Sequence, residues 1–263
     1  MLKLEHVSKT FFPGTVNAKL ALDDVSLHLE KGEFVTVIGS NGAGKSTLLN
    51  AVAGAFLLDS GKIILDGKDI TFDKDYRRAK VIGRLFQDPL SGTAPSMTIE
   101  ENLTLAYMRT AGHISPFGLR KSDKADLRDR VAALGLGLED RMTTRVGLLS
   151  GGQRQALTLL MATLVTPKIL LLDEHTAALD PATAETVLEL TKKIIAENDI
   201  TCLMITHNMQ SSLKLGDRTI MMDSGRIVLD VKGEEREKMT VQDLLSRFGA
   251  ALDNDRMLLG HDN

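Results

Sequence analysis

The chain reads Gly39-Ser40-Asn41-Gly42-Ala43-Gly44-Lys45-Ser46 between an apolar run, Phe34–Ile38, and a helix-prone run, Ser46–Ala53. This octapeptide matches the pattern G-x-x-x-x-G-K-[S/T] in full, and the flanking strand and helix supply the context that the pattern requires. Glycines let the backbone curl so that its N–H groups point into the loop, and the start of the helix adds positive partial charge. The stretch therefore predicts an α/β fold with a phosphate-binding loop.

The residues of this loop have distinct expected roles. The backbone from Gly39 to Gly44 forms the cradle for the phosphates. Lys45 is expected to pair with the β- and γ-phosphates of a nucleoside triphosphate, and Ser46 to ligate Mg²⁺. Thr47 is expected to assist through its hydroxyl or its backbone. The loop predicts ATP-type binding with Mg²⁺ but does not identify a family.

A second motif ends the apolar run Ile169–Leu172 with two carboxylates, Asp173 and Glu174. A continuous apolar run of this length is typical of a strand that is buried on both faces of a sheet. Neighbouring residues of a strand point to opposite faces, so one strand end can supply two different roles. Asp173 is expected to hold the hydration shell of Mg²⁺.

A third motif, Leu149-Ser150-Gly151-Gly152-Gln153, precedes an apolar helix predicted at Arg154–Val165. A hydroxyl and the unsatisfied N–H groups at a helix start together form an anion site. The motif therefore predicts a second phosphate site, which lies far along the chain from the glycine loop.

The three motifs together resemble those of the ATPase subunit of an ATP-binding-cassette (ABC) transporter, and the resemblance covers nearly the whole chain. It implies an α/β fold: a P-loop NTPase core with a mainly parallel sheet, an antiparallel β subdomain and an inserted helical lobe. The resemblance implies a core with its β subdomain at residues 1–87 and 167–231, a helical lobe at 88–166 and a C-terminal extension at 232–263.

The resemblance also assigns roles to residues near the γ-phosphate. It implies that Glu174 polarises the attacking water as general base. Gln87 would contact Mg²⁺ or that water, and His207 would contact the γ-phosphate and orient Glu174. The segment Ser150–Gln153 would close on the γ-phosphate held by a second copy of the chain, so that two ATP molecules are sandwiched between two subunits.

Two further positions carry over from the family. The segment Ala177-Ala178-Leu179-Asp180 resembles the loop that crosses the dimer interface in the family, where Asp180 would link the two sites. Phe11 occupies the position where the family stacks an aromatic ring on adenine, and the adjacent Phe12 is a competing choice. One departure is His175, which stands where the family often has proline. Another is the run Ala156–Leu164, which replaces the arginine and Ala-Arg-Ala-Leu run common in the family.

Composition limits the function classes. The 263 residues include 32 basic and 35 acidic side chains, for a net charge of −3, which argues against a protein that wraps nucleic acid but leaves a local basic patch open. No apolar run reaches the ~18–20 residues that span a bilayer, and the start of the sequence lacks a signal-peptide pattern. We therefore expect a cytoplasmic protein that reaches the inner face of the membrane through a partner. The lone cysteine, Cys202, reads as an inert core thiol.

Two functions are compatible with these residues. The first is a homodimeric ATPase that drives separate membrane permease subunits, with a substrate-binding protein in the same system and import as the direction. The alternative is a soluble ABC ATPase outside transport, such as an iron–sulfur cluster assembly ATPase, which also has a single cassette of this size. Long coiled coils and a tandem second cassette, which mark other soluble relatives, are absent from the sequence.

The remaining periodicity predicts the other elements. Strands are expected at Leu2–Val7, Leu22–Leu29, Gly61–Gly67 and Thr201–Thr206, and a hairpin around Ser224-Gly225. Helices are expected at Ile99–Thr110, Lys121–Leu134, Ala182–Glu197 after Pro181, and Thr240–Phe248. A Gly/Pro-containing connector is expected at Ala111–Leu119, and a charged linker at Lys232–Lys238.

Overall fold

The computed structural model of the chain describes residues 1–111 and 121–247. Most of the connector predicted at Ala111–Leu119 lies outside these residues. So do Phe248, the last residue of the predicted terminal helix, and the rest of the predicted C-terminal extension.

The described residues form ten strands, eight α-helices and one further helical segment near their C-terminal end. The strands are β1 (Leu2–Phe11), β2 (Lys19–Leu29), β3 (Phe34–Gly39), β4 (Ser60–Leu65), β5 (Lys68–Asp69), β6 (Ile82–Leu85), β7 (Ile169–Asp173), β8 (Thr201–Ile205), β9 (Arg218–Asp223) and β10 (Arg226–Lys232). The helices are α1 (Lys45–Ala53), α2 (Asp75–Arg78), α3 (Ile99–Ala111), α4 (Lys121–Ala132), α5 (Gly151–Thr163), α6 (Pro181–Glu197), α7 (Met209–Lys214) and α8 (Gly233–Lys238). Residues 241–247 are also helical.

The chain forms two compact units. Among the described residues, unit 1 comprises 1–74 and 201–247, and unit 2 comprises 75–111 and 121–200. The division into core, helical lobe and C-terminal extension that the sequence predicts has other boundaries and stays a prediction.

Unit 1 holds two kinds of strand pairing. An antiparallel sheet has the order β2-β1-β4-β5. In the second group β3 is parallel to both β8 and β9, and β10 returns antiparallel to β9 through the predicted hairpin. Both β3 and β8 are buried along their length. Because the two strands are parallel, the end of β3, where the phosphate loop begins, lies at the carboxyl edge that they share. Cys202 is fully buried within β8, and burial raises the pKa of its thiol.

Unit 2 combines a parallel strand pair with a helical core. β6 and β7 run side by side, with Leu85 opposite Leu172. Helices α3, α4 and α5 enclose an apolar cluster that includes Leu103, Val131 and Leu157, all fully buried. Parallel and antiparallel pairing together with these helices confirm the predicted α/β fold class.

The predicted charged linker at Lys232–Lys238 is wrong. β10 continues to Lys232, and α8 occupies the rest of that stretch. A run of charged residues gave no apolar periodicity, so the sequence offered no helical signal. The helix is held instead by a tertiary contact.

The guanidinium of Arg236, in α8, makes that contact. Its Nη2 donates to three main-chain oxygens at the end of α7, those of Ser212 (2.9 Å), Leu213 (3.1 Å) and Leu215 (2.6 Å), and its Nε donates to Oγ1 of Thr219 (3.0 Å). The last carbonyls of a helix lack partners within the helix, and a cation there satisfies them. Arg236 therefore closes the end of α7 and fixes α8 against it.

Candidate functional site

The phosphate loop connects β3 to α1 in unit 1, as predicted. The ammonium of Lys45 donates to the carbonyl oxygens of Gly39 and Ser40, each at 2.8 Å, and its side chain is buried. The loop thus curls around its own lysine. An ammonium donates to anionic oxygens more strongly than to neutral carbonyls, so this position is compatible with the predicted phosphate contact.

Gly39 is required by its surroundings. A Cβ at this position would lie 2.2 Å from the carbonyl oxygen of Met222 in β9, and its φ is +150°. Backbone atoms cannot move aside as a flexible side chain can, so any larger residue would displace the start of the loop. The neighbouring strand therefore fixes the loop before any ligand is bound.

Phe11 and Phe12 differ in their surroundings. The ring of Phe11 is half-buried and packs edge-to-face on Phe56, with centroids 5.2 Å apart and planes at 84°. The Lys9 ammonium lies 5.8 Å from the Phe11 centroid and is paired with Asp59 at 2.8 Å. Phe12 is 68% exposed and its φ is +53°. The Phe11 ring thus has an ordered position, whereas that of Phe12 extends into solvent.

His207 follows β8 and is exposed. On one side, Oγ1 of Thr206 accepts from the backbone N–H of Asn208 at 3.1 Å. On the other side, the Asn208 side chain caps α7 by accepting from the N–H of Ser211 at 2.9 Å. These two hydrogen bonds fix the short segment that carries the histidine.

Asp173, Glu174 and Gln87 lie at the same edge of unit 2. Because Leu85 is opposite Leu172, Gln87 follows β6 at the level where Glu174 follows β7. Glu174 has φ +46°, a left-handed conformation that is unfavourable for a glutamate. Such backbone strain clusters at functional sites, where the surrounding structure maintains it.

Arg84 is a residue that sequence reasoning missed at this edge. It belongs to β6, and its guanidinium stacks 4.4 Å from the ring centroid of Phe86. Burial lowers the pKa of Arg84, while the carboxylate of Asp173 acts in the opposite direction. An arginine in the middle of an apolar run was the available signal. The two opposite charges therefore lie close enough at this edge of the sheet to interact electrostatically.

Helix α5 begins earlier than predicted, at Gly151 rather than Arg154, because Ser150 and Gln153 form a capping box. Oγ of Ser150 accepts from the N–H of Gln153, and Oε1 of Gln153 accepts from the N–H of Ser150, both at 3.2 Å. The motif residues thus have a structural role of their own. The box also directs the Ser150 hydroxyl toward the N-terminus of the helix.

Asp180 caps the neighbouring helix α6. Its carboxylate accepts from the N–H of Thr183 at 3.1 Å, and Pro181 occupies the first turn as expected. The hydrogen bonds from the Thr183 hydroxyl and from this N–H lower the pKa of Asp180. The starts of α5 and α6 lie side by side, since a Cβ on Gly152 would lie 2.1 Å from Cγ2 of Thr183.

This close approach predicts the effect of Gly152→Ala. The added methyl would overlap a β-branched side chain, so we expect a loss of about 1–3 kcal/mol in unfolding free energy. Adding Thr183→Ser, which removes Cγ2, should restore most of it. Urea unfolding of the single and double variants measures both effects.

Gly151→Ala is the matched control for this experiment. Its Cβ would meet only the end of the flexible Leu179 side chain, at 3.0 Å. We expect this control to unfold within about 0.5 kcal/mol of the parent chain. Equal losses in the two alanine variants, or no recovery with Thr183→Ser, would contradict the close-packing explanation.

His175, the departure noted in the sequence, is buried. Its Nε2 lies 3.2 Å from Oγ1 of Thr191, and that hydroxyl donates to the carbonyl of Val187 at 2.7 Å. Since the single hydroxyl proton is used there, Nε2 is the protonated nitrogen and donates to Thr191. Burial lowers the pKa of His175 to about 4, so the ring is neutral at pH 7.

The lowered pKa predicts a pH-dependent stability. His175 takes up a proton near pH 6.5 in the unfolded chain but only near pH 4 in the folded chain. Its contribution to the free energy of unfolding is therefore fully present above pH 6.5 and is lost as the pH falls toward 4. Between pH 7.5 and pH 5.0, protonation of His175 alone should lower the free energy of unfolding by about 2 kcal/mol. Urea unfolding of His175→Gln, which cannot titrate, should show a shallower decline by that amount. A parallel decline in both proteins would contradict it.

The residues predicted to hold Mg²⁺ are Ser46, Gln87 and Asp173. They offer a hydroxyl, an amide and a carboxylate, which are the hard oxygen donors that Mg²⁺ takes. Mg²⁺ commonly binds through one or two carboxylates together with substrate phosphates rather than in an all-protein cage. The donor set therefore fits a magnesium–nucleotide complex.

Comparisons with known proteins agree with these features. The family model described as "ABC transporter" matches residues 22–177. A tyrosine transport ATP-binding protein of Clostridioides difficile is 45% identical over 96% of this chain and 100% of that protein. A methionine import ATP-binding protein of Haemophilus influenzae is 38% identical over 87% of this chain, which spans 64% of that longer relative.

Solved structures give the same result. An ATP-binding cassette in a dimeric post-hydrolysis state with bound ADP and phosphate has a TM-score of 0.75 and 30% identity, over 88% of this chain and 98% of that one. The ADP conformation of another cassette from an ABC transporter has a TM-score of 0.78 and 28% identity, over 94% and 98% of the two chains. The chain belongs to the ABC transporter family and is one of its ATP-binding, ATP-hydrolysing proteins.

Proposed function

We propose that this chain is the ATPase subunit of an importer, in which two copies sandwich two ATP molecules and drive separate permease subunits. The observation that carries the proposal is the full-length similarity to a tyrosine transport ATP-binding protein. The phosphate loop, already curled around Lys45, supports its ATP-binding half. No helix within residues 1–111 or 121–247 is both long and apolar enough to cross a bilayer.

In this proposal the loop backbone and Lys45 bind the phosphates, and Phe11 stacks on adenine. Ser46, Asp173 and Gln87 hold Mg²⁺, which neutralises charge on the phosphates when it is bound. Thr47 assists the loop. In-line attack on the γ-phosphate then requires mostly positioning and charge neutralisation.

Glu174 and His207 complete the chemistry. Glu174 accepts a proton from the attacking water as general base, and His207 orients Glu174 and contacts the γ-phosphate. The left-handed backbone at Glu174 supports this role, because strain of this kind is retained where a side chain must be aimed. The hydrogen bonds of Thr206 and Asn208 support this role, because they hold the backbone on both sides of His207.

The second site half comes from the other copy. The segment Ser150–Gln153 binds the γ-phosphate held by the partner chain, through the Ser150 hydroxyl and the N–H groups of Gly151 and Gly152, and Asp180 lies at the interface between copies. The capping box supports this role, because it holds the Ser150 hydroxyl at the start of α5. ATP would close the dimer, and hydrolysis with product release would reopen it.

The transported solute is proposed to be an amino acid. The two relatives named above are described as acting in tyrosine transport and methionine import. A substrate-binding protein would deliver the solute, and the chain would lie on the cytoplasmic face of the membrane through the permease. Nucleic acid has no part in this function, in keeping with the net charge of −3.

Purification from detergent-solubilised host membranes tests the proposal. We expect a polytopic permease to copurify with the chain. Vesicles containing that complex and a binding protein should accumulate radiolabelled tyrosine or methionine when ATP is present on the side of this subunit. Isolation with a soluble iron–sulfur scaffold instead, and no permease, would contradict the proposal and favour the alternative ATPase.

A further inference from the structure

Lys19 is an exposed lysine at the first position of β2. In the antiparallel pairing of β1 and β2 its register partner is Phe11, the residue proposed to stack on adenine. Partners of this kind have Cβ atoms about 5 Å apart. The backbone of Lys19 therefore lies beside the proposed position of the base.

The other end of the same side chain lies beside the phosphate loop. A Cβ built on Gly42 would lie 3.1 Å from Nζ of Lys19. Gly42 belongs to the loop whose backbone is expected to surround the phosphates. All of these residues belong to unit 1. The lysine thus runs from the base position to the phosphate position, along the path that a bound nucleotide would follow.

Lys19 has no counter-ion among the described residues. Two nearby carboxylates are already paired: Asp23, on the same strand, with Arg226 at 2.6 Å, and Asp59, just before β4, with Lys9 at 2.8 Å. The Lys19 ammonium makes neither a hydrogen bond nor an ion pair with any residue of 1–111 or 121–247. An unpaired cation beside a loop that binds a polyanion raises the local concentration of that polyanion.

We propose that Lys19 is a second nucleotide-binding lysine, which contacts the α- and β-phosphates of the bound nucleotide. This inference rests on the proposed nucleotide site and adds a residue to it. Lys19 lies outside the glycine pattern, so the motif did not indicate it. Its register with Phe11 and the distance from Nζ to Gly42 do.

The two lysines have different tasks. Lys45 is buried within the loop and reaches the β- and γ-phosphates, whereas Lys19 is exposed and acts from outside the loop. Its contacts are present equally in bound ATP, in the transition state and in bound ADP. Such uniform binding lowers KM and leaves kcat unchanged.

Calorimetric titration of the purified chain with MgADP and with a slowly hydrolysed MgATP analogue tests the proposal. Lys19→Met removes the charge and retains the length of the stem. We expect the Kd for both ligands to rise about fivefold to tenfold, as for the loss of one charge-assisted contact. Lys19→Arg should bind within about twofold of the parent chain. The Lys19→Met deficit should shrink in 0.5 M salt, through screening.

Lys62→Met is the matched control, since Lys62 is another exposed lysine of the antiparallel sheet and lies on β4. It should leave both Kd values unchanged. In steady-state hydrolysis, Lys19→Met should raise KM for ATP by the same factor with kcat retained.

A Lys19→Met chain that binds MgADP as tightly as the parent at low salt would overturn the inference. So would a Lys19→Arg chain as weak as Lys19→Met. A parent chain that binds neither nucleotide would instead overturn the proposed function.

Discussion

Glu174→Gln is expected to lower the steady-state rate of ATP hydrolysis by about 100- to 10,000-fold, the contribution of a positioned general base. Glutamine has the same length and can occupy the same left-handed backbone position at φ +46°. Its amide cannot take a proton from water. Binding of ATP should therefore persist while turnover stops.

Two measurements check this result. Phosphate release gives the rate, and size-exclusion chromatography with ATP should show an accumulated ATP-bound dimer for Glu174→Gln. Glu185→Gln is the control, because Glu185 is an exposed carboxylate on α6 of the same unit. It should hydrolyse ATP at the parent rate. Brisk multiple turnover by Glu174→Gln would contradict the assignment of the general base.

A mixture of two inactive variants is expected to regain activity if each site takes its halves from two chains. Lys45→Met removes the phosphate-binding ammonium. Ser150→Asp retains a good N-cap for α5, so the helix should stay folded, but places a negative charge against the γ-phosphate. Each variant alone should be inactive, because both of its sites carry the defect.

In a mixed dimer the two defects fall in the same composite site. The other site combines an intact loop from the Ser150→Asp chain with an intact Ser150 from the Lys45→Met chain. An equimolar mixture with random pairing therefore holds about a quarter of the normal number of intact sites. Hydrolysis should rise toward that fraction as the mixing ratio approaches one to one.

A chain that carries both substitutions is the control, and it should stay inactive alone. Circular dichroism of each variant verifies that the chains are folded. Should the mixture show no more activity than its components, the shared site between two copies would be unsupported. That result would leave the ATP-binding role of Lys45 in place.

The sequence predicted the elements that carry local signals. The glycine pattern required a strand and a helix around it, and β3 and α1 lie there. Asp180 with Pro181 marks the start of α6, because a cap and a first-turn proline act within a few residues. The predicted site residues are found at strand ends and helix starts, where local patterns are strongest.

Features that depend on tertiary contacts were not predictable. The charged stretch that forms α8 is fixed by carbonyls of α7, more than twenty positions earlier in the chain. The burial of His175 follows from its packing beside Thr191. Lys19 required the strand register and the distance to the glycine loop. In each case the deciding partner lies too far along the chain for periodicity or spacing to indicate it.

The contact between Arg236 and the end of α7 sets a limit on how the chain can be shortened. A version ending with β10 would keep every motif residue, yet three carbonyl groups of α7 would lose their common donor. That helix starts two positions after His207, so its fraying would loosen the histidine. Minimal versions of this ATPase should therefore extend at least through residue 238, and those trimmed further should lose catalytic rate before they lose nucleotide binding.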